Sequence, residues 1–188
     1  PFTNLRLRFN PAGSILWCGT GRANLSLGQP GRLVAWKVPS GDELFAIVPG
    51  SNAITALAVS PDGRTVAVGG DNGAIQLRDA SSGEVSLILR TQPGRTLTDL
   101  AFLPDGGTLA SVSASGFGVA FRSDAETQLW DVRPRAQSLA LRLTTPSPKP
   151  DEQTLASPPF GAWNQVAFSD DGATVSWTGI DDLGRLRS

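Results

Sequence analysis

A tight turn that keeps returning constrains this chain more than any other feature in it. Ser60-Pro61-Asp62-Gly63 comes back about 43 residues later as Leu103-Pro104-Asp105-Gly106. It stands earlier as Asn10-Pro11-Ala12-Gly13 and later as Ser169-Asp170-Asp171-Gly172. Each copy follows an apolar run (Leu5–Phe9, Ile54–Val59, Leu97–Phe102, Trp163–Phe168) and precedes another (Ser14–Gly19, Arg64–Gly69, Thr108–Ser113, Ala173–Gly179). A third run ends in Trp36-Lys37, Arg78-Asp79 or Trp130-Asp131, and a fourth covers Glu43–Val48, Val85–Leu89 and Ser138–Leu143. Runs of about six residues between Gly-bearing turns have strand length. Asp62-Gly63, Asn72-Gly73 and Asp105-Gly106 supply the positive φ that tight hairpins demand. The chain therefore reads as four copies of a four-stranded antiparallel meander.

Composition narrows the chemistry. Twenty-one Gly and fourteen Pro favour short strands and turns over helices. There is no histidine, which removes Ser-His-Asp and Cys-His nucleophile pairs and His-ligated metals together. Cys18 is the only cysteine, so an intrachain disulfide and a Cys-cluster metal site are excluded. The formal net charge is −1 with the basic residues scattered, so no nucleic-acid partner is expected. No apolar stretch approaches the ~20 residues a membrane helix needs, and no membrane partner is expected either. No cofactor, metal or catalytic residue is assigned.

A period near 43 residues, four strands per unit and a Trp-Asp closing the third strand resemble the WD-repeat (WD40) β-propeller family. Trp130-Asp131 is the full dipeptide, and Trp36-Lys37 and Arg78-Asp79 each keep half of it. The resemblance implies an all-β propeller of four-stranded antiparallel blades. Three are complete (about residues 4–50, 51–90 and 91–145) and a fourth (161–188) is incomplete. Residues given a blade-building role are Trp36, Asp62, Gly63, Asn72, Gly73, Asp79, Asp105, Gly106, Trp130 and Asp131. The family's Gly-His before the first strand is impossible here, so the hydrogen-bonded tetrad that braces many blades cannot form in its usual composition. Trp17 and Trp177 read as equivalent second-strand packing positions.

The first strands are apolar on both sides, with Ile54, Ala56 and Ala58 assigned to one face and Leu57 and Val59 to the other. Such strands need neighbours on both sides, as radially stacked blades provide. Three full blades and most of a fourth fall short of a typical ring of four to eight, so the chain reads as a segment of a longer propeller, with further blades or domains expected.

Three insertions disturb the period: Gly21–Gly31, Ala114–Glu126 and Thr144–Phe160. All follow even-numbered strands, whose loops share one face of an up-and-down array, and insertions on one face mark the working side of repeat proteins. Arg22, Asn24, Phe117, Arg122, Phe160 and Trp163 on that side are the candidate partner-binding residues, aromatic and Arg side chains being favoured interface anchors. The expected function is a non-catalytic protein-protein interaction scaffold or regulatory module. The alternative is a propeller enzyme or small-ligand binder that uses the central channel.

Overall fold

Strand pairing follows the turn chemistry. In every repeat the residue opening the turn donates its amide across it in the same way: Asn10 to Ile15, Ser60 to Thr65, Leu103 to Thr108 and Ser169 to Thr174, at 2.8–2.9 Å. Gly13, Gly63 and Gly106 take φ of 67, 72 and 68°. The computed structural model describes residues 3–22, 29–50, 53–115, 125–133, 138–144, 165–169, 171, 174–180 and 186–187. Among them there are fifteen strands and no helix.

The first sheet is β1 (Thr3–Phe9), β2 (Ile15–Arg22), β3 (Gln29–Lys37) and β4 (Glu43–Ile47). The second is β5 (Ile54–Val59), β6 (Thr65–Gly70), β7 (Ala74–Asp79) and β8 (Val85–Arg90). The third is β9 (Arg95–Phe102), β10 (Thr108–Ser115), β11 (Ala125–Asp131) and β12 (Ser138–Thr144). The last is β13 (Gln165–Phe168), β14 (Val175–Ile180) and β15 (Leu186–Arg187). Within each sheet the strands lie in chain order and pair antiparallel. These are the expected blades: three of four strands and one of three. The first strands β1, β5, β9 and β13 lie side by side as the inner row.

The core lies between blades. Trp17, Leu33 and Ala35 of the first blade bury against Ile54, Leu57, Val66 and Val68 of the second. Ala56, Ala58, Ala67, Ile75 and Leu77 on the back of the second blade bury against Leu97, Leu100, Leu109 and Trp130 of the third. A fully buried Leu or Val stabilises by about 1.5–3 kcal/mol relative to exposure, so these two seams join the blades. The Trp17 and Phe45 rings pack edge to face, with centroids 5.4 Å apart and planes at 67°.

One face assignment is overturned. The β5–β6 register slips between Ile54 and Ala56, leaving Thr55 as a bulge. An extra residue reverses the alternation, so Ile54 joins Leu57 on the side of the first blade, while Ala56 and Ala58 face the third. Strict alternation had put Ile54 with the alanines. The bulge drives Ile54 deep into the first seam: a Cβ on Gly31 would stand 2.7 Å from the Ile54 amide nitrogen, and one on Gly19 2.7 Å from its Cγ2.

The Trp equivalence also fails. The turn bonds Asn10 to Ile15 and Ser169 to Thr174 align Trp17 with Ser176 and Cys18 with Trp177. A displacement of one residue exchanges the faces of a strand.

Candidate functional site

The stems of the loops after even strands are well defined. β2 and β3 run further into the first insertion than the spacing suggested, pairing to Arg22 and Gln29. β10 and β11 pair as far as Ala114 and Ala125 at the base of the second, and β12 ends at Thr144 where the third begins. Up-and-down topology brings these stems to one side. Of the six candidate partner-binding residues, Arg22 closes β2, where its backbone pairs with Thr3 and Gln29. Asn24, Phe117, Arg122, Phe160 and Trp163 lie outside the described residues.

Beneath the second insertion sits a buried polar cluster that the repeat pattern did not flag. Arg95, at the start of β9, donates from Nε to Ser113 Oγ (2.9 Å) and from Nη2 to the Ser113 carbonyl (3.0 Å). Its Nε also stands 3.4 Å from Glu126 Oε2, with both side chains nearly fully buried. Gln128 Nε2 donates to Glu126 Oε1 at 3.1 Å. This ion pair anchors the stem of the insertion to the inner strand of the same blade.

A second cluster lies on the inner row. Arg6 Nε donates to the carbonyl of the bulge residue Thr55 at 2.7 Å, and Arg8 Nη2 reaches Asp99 Oδ1 at 3.3 Å. Burial pushes the Arg6 guanidinium below its ordinary range, against the upward pull of Asp99. By register Arg8 stands where the other blades carry Ala58, Ala101 and Ala167. That Arg-x-Arg in an otherwise apolar strand was the available signal.

The residues given blade-building roles hold turns and third strands. Asp62 Oδ1 accepts from Ser60 Oγ (2.6 Å) and the Arg64 amide (3.0 Å), which lower its pKa. Asp105 Oδ1 accepts from the Gly107 amide (2.9 Å) and Asn72 Oδ1 from that of Ala74 (3.0 Å), and Gly73 and Gly106 take positive φ. Asp79 Oδ1 gathers Ser81 and Ser82, and the Ser81 hydroxyl with both amides brings its pKa down to about 2. Asp131 is held by Arg133, whose side chain and amide depress its pKa. Trp130 Nε1 donates to Ser111 Oγ at 2.8 Å, tying β11 to β10. Arg78 takes the Trp position of the second blade, with its head on Gln76 Oε1 and the Gly83 carbonyl. Trp36 is half-buried.

Among the described residues, an open depression of about 340 Å³ lies beside Leu16, Trp36, Lys37, Val38 and Pro39 on the first blade. The recess lined by Pro49, Ala53, Asn72 and Gln76 on the even-strand side holds about 50 Å³, well below the 300–1,000 Å³ usual for organic ligands. No group of three or more His, Cys, Asp or Glu among the described residues is arranged to hold a metal.

The profile of the anaphase-promoting complex subunit 4 WD40 domain matches residues 31–94. No curated protein matches by sequence. The β-propeller domain of Cps50 (Swd1) from Myceliophteria thermophila superposes with a TM-score of 0.59 at 16% identity, covering 95% of this chain and 52% of that one. A chain of the mitotic checkpoint complex superposes at 0.58 and 20% identity, covering 76% and 39%. The chain thus spans about half, or less, of these solved structures. Repeat period, blade topology, matched profile and structural neighbours agree on the fold: the chain is a partial β-propeller of WD40-like four-stranded blades.

Proposed function

We propose that this chain is a non-catalytic protein-interaction scaffold and that its partner is a protein bound on the side of the long loops. The observation that carries the reading is the contrast between regular blades and the insertions, all three of which follow even strands. The buried Arg95–Glu126 pair at the base of the second insertion supports it, because a loop that holds a partner gains from a rigid stem. The matched profile belongs to a complex subunit and one neighbour to a checkpoint complex, which fits a role in assemblies. Arg22, Asn24, Phe117, Arg122, Phe160 and Trp163 are the contact residues under this reading. A channel-centred enzyme has less support: Arg6, Arg8 and Asp99 on the inner row engage one another and Thr55.

The test is loop removal. Replacing residues 116–123 by Asn-Gly joins β10 to β11 through a tight hairpin and leaves the buried cluster in place. Partners recovered with the intact chain should be lost, while circular dichroism and the urea midpoint stay near those of the intact chain. Full partner recovery by a folded loop-less chain sinks the face assignment.

A further inference from the structure

Arg6 and Arg8 depart from the inner row in a way that blade packing does not require. Register places Arg6 level with Ala56, Asp99 and Gln165 on the other inner strands, and Arg8 level with Ala58, Ala101 and Ala167. Asp99 is the one charged residue among those six positions. The second blade packs on the third with alanine at both levels, so a seam forms without a guanidinium there. Setting two guanidiniums side by side in a partly buried place costs desolvation and mutual repulsion, which calls for negative charge beside them.

Two bulges bring the polar groups together. The β5–β6 slip leaves Thr55 unpaired, and its carbonyl accepts from Arg6 Nε at 2.7 Å. The β9–β10 slip leaves Thr98 unpaired, one residue before Asp99. β1 pairs without a slip, so Arg6 and Arg8 share one of its faces. Arg8 Nη2 stands 3.3 Å from Asp99 Oδ1, longer than the roughly 2.7–2.9 Å of a tight charge-assisted bond. Asp99 pulls the Arg6 pKa up and Arg8 pushes it down, which puts both guanidiniums and the carboxylate within one another's field. Two positive charges therefore gather at one carboxylate. Asp99 is buried, but the Arg8 side chain is 40% exposed, so the cluster is open on one side.

We propose that Arg6 and Arg8, with Asp99 as their internal counter-charge, form a site on the inner row for one oxyanion, a phosphate or the carboxylate of an acidic residue. An oxyanion balances the second positive charge and accepts hydrogen bonds from planar guanidinium forks. Alanine at the Arg8 level of the other three inner strands leaves room beside that head for a group of this size. Asp99 already offsets one of the two charges, so the site takes a single anion and repels a second. No catalytic group is needed, and the inference does not depend on which loops hold a partner.

The experiment titrates the chain with inorganic phosphate and, separately, with acetate, at constant ionic strength held by chloride, and reads the thermal midpoint. A ligand that binds the folded state alone raises the midpoint with its concentration along a binding curve. Arg8→Gln, at a partly exposed side chain, should weaken binding about tenfold. Asp99→Asn should tighten it about threefold, because the competing negative charge is gone. Arg90→Gln, at an exposed arginine on β8, should leave it unchanged. Circular dichroism confirms that each variant is folded, and should Arg8→Gln fail to fold, the opposite shift in Asp99→Asn carries the test. A response to phosphate alone supports the site and identifies a phosphate group as its ligand; a response to acetate, with or without phosphate, supports it and identifies a carboxylate as sufficient. A midpoint that follows neither anion beyond the chloride control overturns the proposal. So does binding that a folded Arg8→Gln retains, that Asp99→Asn fails to tighten, or that Arg90→Gln weakens equally.

Discussion

Arg8 on the inner strand of the first blade bonds Asp99 on the inner strand of the third at 3.3 Å, across 91 positions of sequence. The pair joins blades that are not neighbours in the chain, and with Arg6 on the Thr55 carbonyl it ties three consecutive blades at their inner edge. The apolar seams hold adjacent blades only, so this polar tie adds a constraint that the seams do not supply.

Replacing Arg8 should therefore loosen the arc more than a surface arginine would. Asp99 is buried and the Arg8 side chain is partly exposed, and losing a charged hydrogen-bond partner to a buried carboxylate costs about 1–3 kcal/mol. Arg6 still acts on Asp99, which places Arg8→Ala toward the lower end. Urea unfolding of Arg8→Ala, Asp99→Ala and the double variant should give a double-variant loss smaller than the sum of the singles. Strict additivity would show that the two side chains do not act together.

The Arg95–Glu126 pair predicts a larger effect. Both side chains are nearly fully buried, and removing one partner of such a pair costs roughly 3–5 kcal/mol because the other charge is left behind. Glu126→Ala should lower the urea midpoint sharply, and Arg95→Met added to it should recover much of the loss. A Glu126→Ala variant as stable as the parent would show that the charge of Arg95 is satisfied without it.

Much of this architecture was legible in the sequence, because a turn such as Ser60–Gly63 is a local matter: its Gly, Asp and Ser interact within five residues. Strand order and blade count follow from repeating that unit. The features that were not legible depend on one-residue shifts or on distance. Ile54 changed faces because Thr55 bulges, and nothing in ITALAV marks which residue will be left unpaired. Trp17 and Trp177 both fall in second strands, but the turn bonds set them one position apart. Arg8 with Asp99 and Arg95 with Glu126 are pairs that only tertiary placement creates. The candidate partner-binding residues were chosen where the repeat breaks, and a broken repeat carries no register from which to place a side chain.

Acid should weaken the β7–β8 turn. The fold lowers the Asp79 pKa from 3.8 to about 2 by hydrogen bonds from the Ser81 hydroxyl and the amides of Ser82 and Ser81. A carboxylate with a depressed folded pKa adds stability above its unfolded value, and the addition is lost as pH falls through the folded one. Asp79→Asn should thus be less stable than the parent above about pH 4, with the difference shrinking as pH falls from there through about 2. Thermal midpoints at several pH values between 6 and 2 check this; two curves with constant separation would show that Asp79 does not carry the dependence.

A close approach between the first two blades gives the last prediction. Gly31 on β3 has no room for a methyl group: a Cβ there would stand 2.7 Å from the Ile54 amide nitrogen and Cγ1 and 2.8 Å from the Thr20 carbonyl oxygen. Two of those three atoms are backbone, so trimming the Ile54 side chain cannot relieve the clash, and the first seam itself must open. Overpacking of this kind costs about 1–3 kcal/mol. Gly13 isolates the other reason a chain keeps glycine. Its φ is 67° and nothing lies within 4 Å of a Cβ built on it, so Gly13→Ala carries only the left-handed backbone cost of about 1–2 kcal/mol. Gly31→Ala combined with Ile54→Ala should be no more stable than Gly31→Ala alone, because the backbone clash persists and a buried side chain has been lost. Urea midpoints of the three variants decide it. Rescue of Gly31→Ala by Ile54→Ala would mean that the Ile54 side chain, not the bulged backbone at Thr55, sets how closely the first two blades approach.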